Sequence, residues 1–357
     1  MTGEDGSGKD RAGAARHTGR GRVLLKAGGF ALAGVVVLSA AGAGWAYRHL
    51  NRNIESVDID SALGDDRPAK AGPTPSGAAS SSPSATPPPS GSLNILVLGS
   101  DSRSGSRNAA LGGGDSGGAR SDTAMIVHLD EGRTQATVVS IPRDTLVTRP
   151  PCPRESGGST PAAYGAMFNS AYAVGGPVCA VKTAESLTDV RMDHYVEIDF
   201  SGFADLVDAL GGVTVTTEED IDDDLSRLHL AAGTHHLDGT RALALARTRH
   251  GMGDGSDLGR IGLQQTLVRA LLAQVASTDL LTDPARLYEA ADAVTGSLTT
   301  DTGLDSLGEL TELGRSLAGL SSDAVRTVTM PVLPAPSDPN RVVADEPEAT
   351  ELWASLK

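Results

Sequence analysis

The chain has 357 residues, 39% hydrophobic and 3% aromatic, with a formal net charge of -15 at pH 7. That length allows one large domain or two small ones, with a core that must lean on Leu, Val and Ala rather than aromatic rings. The acidic balance argues against non-specific nucleic-acid binding, which needs a broad basic surface.

Residues 1–26 form a polar, glycine-rich tail carrying Lys9, Arg11, Arg16, Arg20, Arg22 and Lys26. An almost uninterrupted apolar run, Ala27 to Tyr47, follows. Roughly 20 such residues span about 30 Å of hydrocarbon as a helix. The positive flank keeps the N-terminus cytoplasmic and the bulk of the chain outside. Trp45 and Tyr47 suit a water–lipid interface. A cleaved signal peptide is the competing reading, with Ala41-Gly42-Ala43 as its cut site. Residues 48–92 read as a linker. Asn51 to Asp66 can extend the helix briefly, and the Pro/Ser/Ala tract after it cannot build a core. It is expected to hold a domain, residues 93–357, away from the membrane.

Within that domain "LNILVLG" reads as a buried strand, and "DTAMIVHLD" and "QATVVSI" as a hairpin around Glu131-Gly132-Arg133. "PAAYGAMFNSAYAVGG" and "PVCAVKTAESLTD" read as helices, with Pro177 in the first turn of the second. "HYVEIDF" is a strand. "SGFADLVDALGG" is a helix with Ser201 as N-cap and Gly211 just past its end. "VTVTT" is a strand, and His235 and His236 fall in a turn. "LDGTRALALAR" is a helix capped by Asp238, and "SDLGRIGLQQTLVRALLAQVAS" is a longer one with apolar residues at helical spacing. Helices near 284–297 and 303–318, a strand at "AVRTVTMPV" and a closing helix at "PEATELWASLK" complete the chain. Interleaved strands and helices give the α/β class, in three layers. Cys152 and Cys179, outside the membrane, are expected to oxidise to a disulfide rather than stay as two buried thiols.

Asp257, Arg260 and Gln264 lie at i, i+3 and i+7, on one face near a helix start, where backbone N–H groups and the macrodipole favour an anion. The other reading is a solvated charged face. Arg247 and Arg249 can face one site only if the backbone turns extended as their helix ends. Three strand ends carry Arg with Asp: Asp101 and Arg103, Arg120 and Asp122, Arg143 and Asp144. Each pair alone could be a surface ion pair. Together they suit phosphate chemistry: Arg binds phosphate oxygens bidentately and stays charged, while carboxylates hold Mg2+ or take a proton. "GGGDSGG" lacks the Lys-Ser/Thr of a P-loop. His194 reads as structural, and His250 as a neighbour of the arginine pair.

The ordered set "NILVLGSDSR", "RSDTAMIVHLD", "VVSIPRDT", "FNSAYAVGG", "GFADLVDALGGVTV", "HLDGTRALALARTRH" and "SDLGRIGLQQ" resembles the LytR-CpsA-Psr (LCP) proteins over roughly residues 93–275. The closing "PNRVVADEPEATELWASLK" is similar to the end of actinobacterial members. The resemblance implies a membrane-anchored, extracytoplasmic three-layer α/β/α phosphotransferase with a central mixed sheet. Such an enzyme moves a glycopolymer from a polyprenyl-pyrophosphate carrier onto peptidoglycan, at a muramic acid C6 hydroxyl. It further implies that Asp101 and Asp122 hold Mg2+ (or Mn2+). Arg120, Arg143, Arg247, Arg249, Arg260 and Gln264 would contact the pyrophosphate, with Asp257 nearby and Arg103 in the first motif. A Gly-rich insertion between "GSDSR" and "RSDT" departs from the simplest pattern. The glycopolymer, the general base (Asp257, Asp122, Asp144 or metal-bound water) and hydrolysis of pyrophosphate without an acceptor stay open. So does a non-catalytic polyprenyl-phosphate-binding or sensing module. A transcriptional attenuator fits poorly with the outside topology and acidity.

Overall fold

The computed structural model describes residues 41–70, 91–100, 121–154, 157–248, 257–277, 284–317 and 320–357. Two compact units divide the chain, Met1–His49 and Leu50–Lys357. In the first, residues 41–49 are helical and the Trp45 and His49 rings stack at 5.3 Å. Among the described residues no helix is long and apolar enough to cross a membrane. Most of the span expected at 27–47 lies outside them.

The second unit is organised by a seven-stranded sheet in the order β1 (Glu55–Val57), β12 (Leu298–Asp301), β7 (His194–Asp199), β2 (Leu93–Ser100), β3 (Ser121–Leu129), β4 (Ala136–Ser140), β13 (Val325–Thr329). The sheet is mixed: β1–β12, β7–β2 and β4–β13 are parallel, and the other neighbours antiparallel. The apolar run of β2 serves both faces. Leu96 and Leu98 point with Ile126, Val139 and Tyr195 into one core, covered by α1 (Ile59–Leu63), α2 (Ser170–Thr188) and α8 (Glu348–Ala354). Ile95 points with Leu129 and Ala136 the other way, towards α7 (Leu307–Ser316). Helices on both faces give the expected three layers. A further core joins α3 (Phe200–Ala209), α4 (Gly239–Arg247) and α5 (Asp257–Ser277) to β8 (Val213–Thr217) and β11 (Gly233–Leu237). Gly239 permits close packing of α4 on α3: a Cβ there would stand 2.0 Å from the Ala204 carbonyl oxygen.

Several elements differ from the sequence reading. Residues 50–70, read as linker, belong to the fold. β1 is a sheet edge, Ile59 and Leu63 enter the core, and Asn51 Oδ1 accepts from the Leu307 amide at 3.0 Å. Arg67 is buried against Glu185, its Nη2 lying 2.6 Å from Oε1 and 2.6 Å from the Met192 carbonyl oxygen, with Asp60 on its outer side. Short elements separated by polar residues hide this: β1 and α1 have only three and five residues. Ala163–Met167 is a strand, β6, paired antiparallel with β5 (Leu146–Arg149). Helix α2 starts after it and breaks at Gly175–Gly176, ahead of Pro177. The cap of α3 is Asp199 rather than Ser201. Its carboxylate accepts from the Gly202 amide at 2.7 Å, and a charged acceptor suits a helix N-terminus better than a hydroxyl. Asp238 caps α4 as expected, 2.8 Å from the Arg241 amide, and Gly211 takes φ 83° after α3. His235 and His236 lie in β11, paired to β8, not in a turn; the Thr-rich β8 supplies a partner strand. Cys152 and Cys179 form the expected disulfide, with Cα atoms 5.2 Å apart, pinning the segment after β5 onto α2.

Candidate functional site

The carboxyl ends of β2, β4, β7 and β13 and the start of β3 share one edge of the sheet. In open α/β sheets that edge is where ligands bind. Here β3 carries a bulge. Gly99 pairs with Thr123 and Ser100 with Ser121, so Asp122 is the extra residue. Bulges re-aim side chains and recur beside active sites.

Two helix ends converge on this edge. Arg247 is the last residue of α4, and its guanidinium carbon stands 5.0 Å from the centre of the Phe200 ring, just past β7. Thr248 then turns extended (φ -57°, ψ 130°), the backbone change that the Arg247/Arg249 spacing required. Its hydroxyl donates to the Ala244 carbonyl oxygen (2.9 Å) and lies 3.0 Å from the Ser226 hydroxyl, so this exit is fixed. On α5, Arg260 is 3% and Gln264 6% exposed. The Gln264 Nε2 donates to Thr123 Oγ1 at 2.9 Å and to the Ala246 carbonyl oxygen at 3.0 Å, tying α5 to both β3 and α4. Gln265 reaches Thr329 Oγ1 at 3.2 Å on β13. The same side of α5 buries Leu263 and Leu267, with Ile261 alongside. Arg260 and Gln264 are thus interior rather than solvated, while Gly259, Gly262 and Arg269 lie on the exposed side of the helix.

Arg247, Arg260, Gln264 and Thr123 border one cavity of about 280 Å³, which Phe200, Leu243 and Ala246 also line, as do Asp223, Leu225 and Ser226. Sequence reasoning missed that last wall. It is a turn between β9 (Ile221–Asp223) and β10 (Leu228–Leu230), held by Asp223 Oδ1 accepting from the Leu225 amide at 2.9 Å. The three-Asp run at 222–224 alternates exposed, buried, exposed, and nothing in its composition singles out Asp223.

Arg143 and Asp144 follow β4 at the same edge without bordering that cavity; Arg143 Nε lies 3.6 Å from Asp144 Oδ2. Asp144 also meets a residue that sequence reasoning did not single out, Arg341, at 3.1 Å. Asp101, Arg103, Arg120, Arg249, His250 and the Gly-rich 112–118 segment lie outside the described residues, as do the side chains of Asp122 and Asp257. Among the described residues no group of three or more His, Cys, Asp or Glu could hold a metal ion. His194 stands at the opposite sheet edge, its Nδ1 3.1 Å from Asp301 Oδ2. Burial works to raise the Asp301 pKa, but hydrogen bonds from His194 and from the Tyr195 and Gly303 amides outweigh it, and the carboxyl is held below its ordinary value.

Known proteins are similar to this chain. A Corynebacterium glutamicum relative, "Probable cell wall biosynthesis protein LcpB", is 34% identical over 245 residues, 68% of this chain and 54% of its own. A Bacillus subtilis relative, "Polyisoprenyl-teichoic acid--peptidoglycan teichoic acid transferase TagV", is 30% identical over 238 residues, 65% of this chain and 57% of its own. The chain thus spans about half the length of these relatives. The solved structure of a LytR-Csp2A-Psr enzyme from Actinomyces oris superposes with a TM-score of 0.57 at 26% identity, covering 81% of this chain and 96% of that one. The LytR_cpsA_psr family model matches residues 47–357, from the N-terminal helix to the last residue, and the chain belongs to that family.

Proposed function

We propose that this protein is a phosphotransferase that moves a glycopolymer from a polyprenyl-pyrophosphate carrier to a hydroxyl of peptidoglycan, outside the membrane in which its N-terminal run is anchored. The observation that carries the reading is the cavity bordered by Arg247 and Arg260, brought from two helices to the strand ends, with Gln264 locked between them. The name of the Bacillus subtilis relative, a teichoic acid transferase acting on peptidoglycan, supports it.

Phosphoryl transfer asks a protein mainly for positioning and charge neutralisation. Guanidinium groups bind phosphate oxygens bidentately and keep their charge at any working pH, so Arg247 and Arg260 orient the pyrophosphate. The Phe200 ring beneath Arg247 restrains its direction. The acceptor hydroxyl oxygen bonds to the sugar-proximal phosphorus, the bond from that phosphorus to the bridging oxygen breaks, and polyprenyl phosphate departs. The hydroxyl proton passes to a carboxylate, Asp257 or Asp122. Both Asp144 oxygens already face guanidinium groups, which makes Asp144 a structural partner.

Asp101 and Asp122 fit a Mg2+ (or Mn2+) ion. Both side chains are carboxylates, the hard oxygen donors such an ion takes. When bound, the ion neutralises charge on the pyrophosphate. The carrier lipid needs an apolar surface. On the α7 side Val97, Val127, Val196 and Leu313 pack, partly buried, against Ile95, Leu129 and Ala136, and supply apolar residues for it.

The test is glycopolymer transfer in vitro with Arg247→Ala and Arg260→Ala. Wild-type rates in folded variants would remove the assignment. A binding or sensing module without chemistry needs the arginines but not the aspartates. Full function after Asp101→Ala with Asp122→Ala would favour that second reading.

A further inference from the structure

The turn Pro142–Thr145, "PRDT" in the sequence, is fixed from three directions. The Thr145 amide and hydroxyl both donate to the Pro142 carbonyl oxygen, at 3.0 and 2.6 Å. The Arg143 carbonyl oxygen accepts from the Asn169 amide at 3.2 Å. Thr145 also bridges Val342 in parallel register. Val342 lies in β15 (Asp338–Ala344), which pairs antiparallel with β14 (Val332–Ala335) near the end of the chain.

That last bridge seats Arg341 beside the turn. Arg341 Nη1 lies 3.1 Å from Asp144 Oδ1, while Arg143 Nε lies 3.6 Å from the other oxygen, Oδ2. One carboxylate is thus held between two guanidinium groups that lie far apart in sequence. Arg341 is steadied from its own strand as well, with Nε 3.7 Å from Asp338 Oδ2. Asp338 is in turn fixed by the Asn340 amide at 2.9 Å. A lone, partly exposed ion pair between neighbouring residues restrains a flexible arginine little, whereas a network on a rigid turn restrains it well. Arg341 is 32% exposed against 18% for Arg143 and Asp144, so it closes the network on its outer side.

We propose that Arg341 is a positioning residue: it holds Asp144 from outside, and Asp144 in turn sets the direction of the Arg143 guanidinium at the sheet edge. The inference rests on Arg143 serving the site as read above. It gives the β14–β15 hairpin a task in the reaction, although no residue of that hairpin borders the cavity.

The test uses the full chain in detergent with a synthetic polyprenyl-pyrophosphate disaccharide and a peptidoglycan fragment. Arg341→Ala should lower kcat on the order of tenfold, with KM and Tm little changed, because misdirecting one group slows the step without removing substrate contacts. Arg341→Lys should restore part of the rate, and Asp144→Asn should reproduce the loss. In an Arg143→Ala background, removing Arg341 should cost nothing further, since both act through one group. Should Arg341→Ala fail to fold, Arg341→Lys and Asp144→Asn carry the same comparison. A wild-type kcat for folded Arg341→Ala beside an impaired Arg143→Ala overturns the inference and leaves the site intact. So do losses that multiply in the double variant. Wild-type turnover of Arg143→Ala overturns the reading of Arg143 in the site, and the inference with it.

Discussion

At the sheet edge where β7 and β2 begin, Arg67 is closed in: Glu185, Asp60 and the Met192 carbonyl oxygen take its donors. His194 sits there on Asp301, and His128 Nδ1 lies 2.8 Å from Asn94 Oδ1. At the edge where the same strands end, Arg260 is equally buried, yet it borders a cavity with Arg247, Thr123 and Gln264. A guanidinium packed against a carboxylate, with a space of only about 10 Å³ beside it, holds two segments together. A guanidinium of equal burial beside an open volume, flanked by an amide that is itself locked, can meet something from outside. The contrast separates the arginines that hold the fold from those proposed to meet substrate, where counting them could not.

The comparison breaks most visibly through Arg260. Arg260→Ala should reduce transfer by on the order of a hundredfold to a thousandfold, the cost of removing a preorganised group that meets developing charge. Transfer rates against circular dichroism of the same sample check this. The closed edge should behave in the opposite way. Arg67→Ala leaves Glu185, whose side chain is 3% exposed, without its charged partner, and should cost about 3–5 kcal/mol of stability in urea unfolding while turnover of the folded fraction stays near wild type. A large loss of turnover with unchanged stability would erase the distinction between the edges.

Smaller effects sharpen it. Reducing Cys152–Cys179, which closes a sequence separation of 27, should lower stability by about 3–4 kcal/mol on loop-entropy grounds, read as a shift of the urea midpoint with and without reductant. The smallest concerns pH. The Asp301 pKa is lower in the folded state than its ordinary value of 3.8. Its contribution is therefore complete above that value and is lost as pH falls through the lowered folded pKa. Between about pH 5 and pH 3 the wild type should lose more thermal stability than Asp301→Asn, by about 1 kcal/mol or less. Equal slopes would show that His194 and Asp301 do not stabilise the closed edge.

Much of this was legible beforehand, for identifiable reasons. β2, β3, β4 and α5 announce themselves because long apolar periodicities survive burial on known faces, and Asp238 and Gly211 because caps have fixed chemistry. The Arg247 exit could be inferred from two arginines two apart, which a regular helix would splay. The β9–β10 wall, β1 and the β14–β15 hairpin were not legible. Their strands are three to seven residues long, and the partner of β1, β12, lies far away in sequence. Ala163–Met167 misled for a related reason. Its small residues resemble a helix start, and only pairing with β5 decides otherwise. Arg341 carries no local signal at all, since its meaning depends on a strand bridge to Thr145.

The docking of residues 50–70 has a consequence for the Pro/Ser/Ala tract at 71–90. Because the chain joins the sheet at Glu55 and enters the core at Ile59 and Leu63, the tract begins and ends within one folded body. A single proteolytic nick there should therefore yield two fragments that still migrate together.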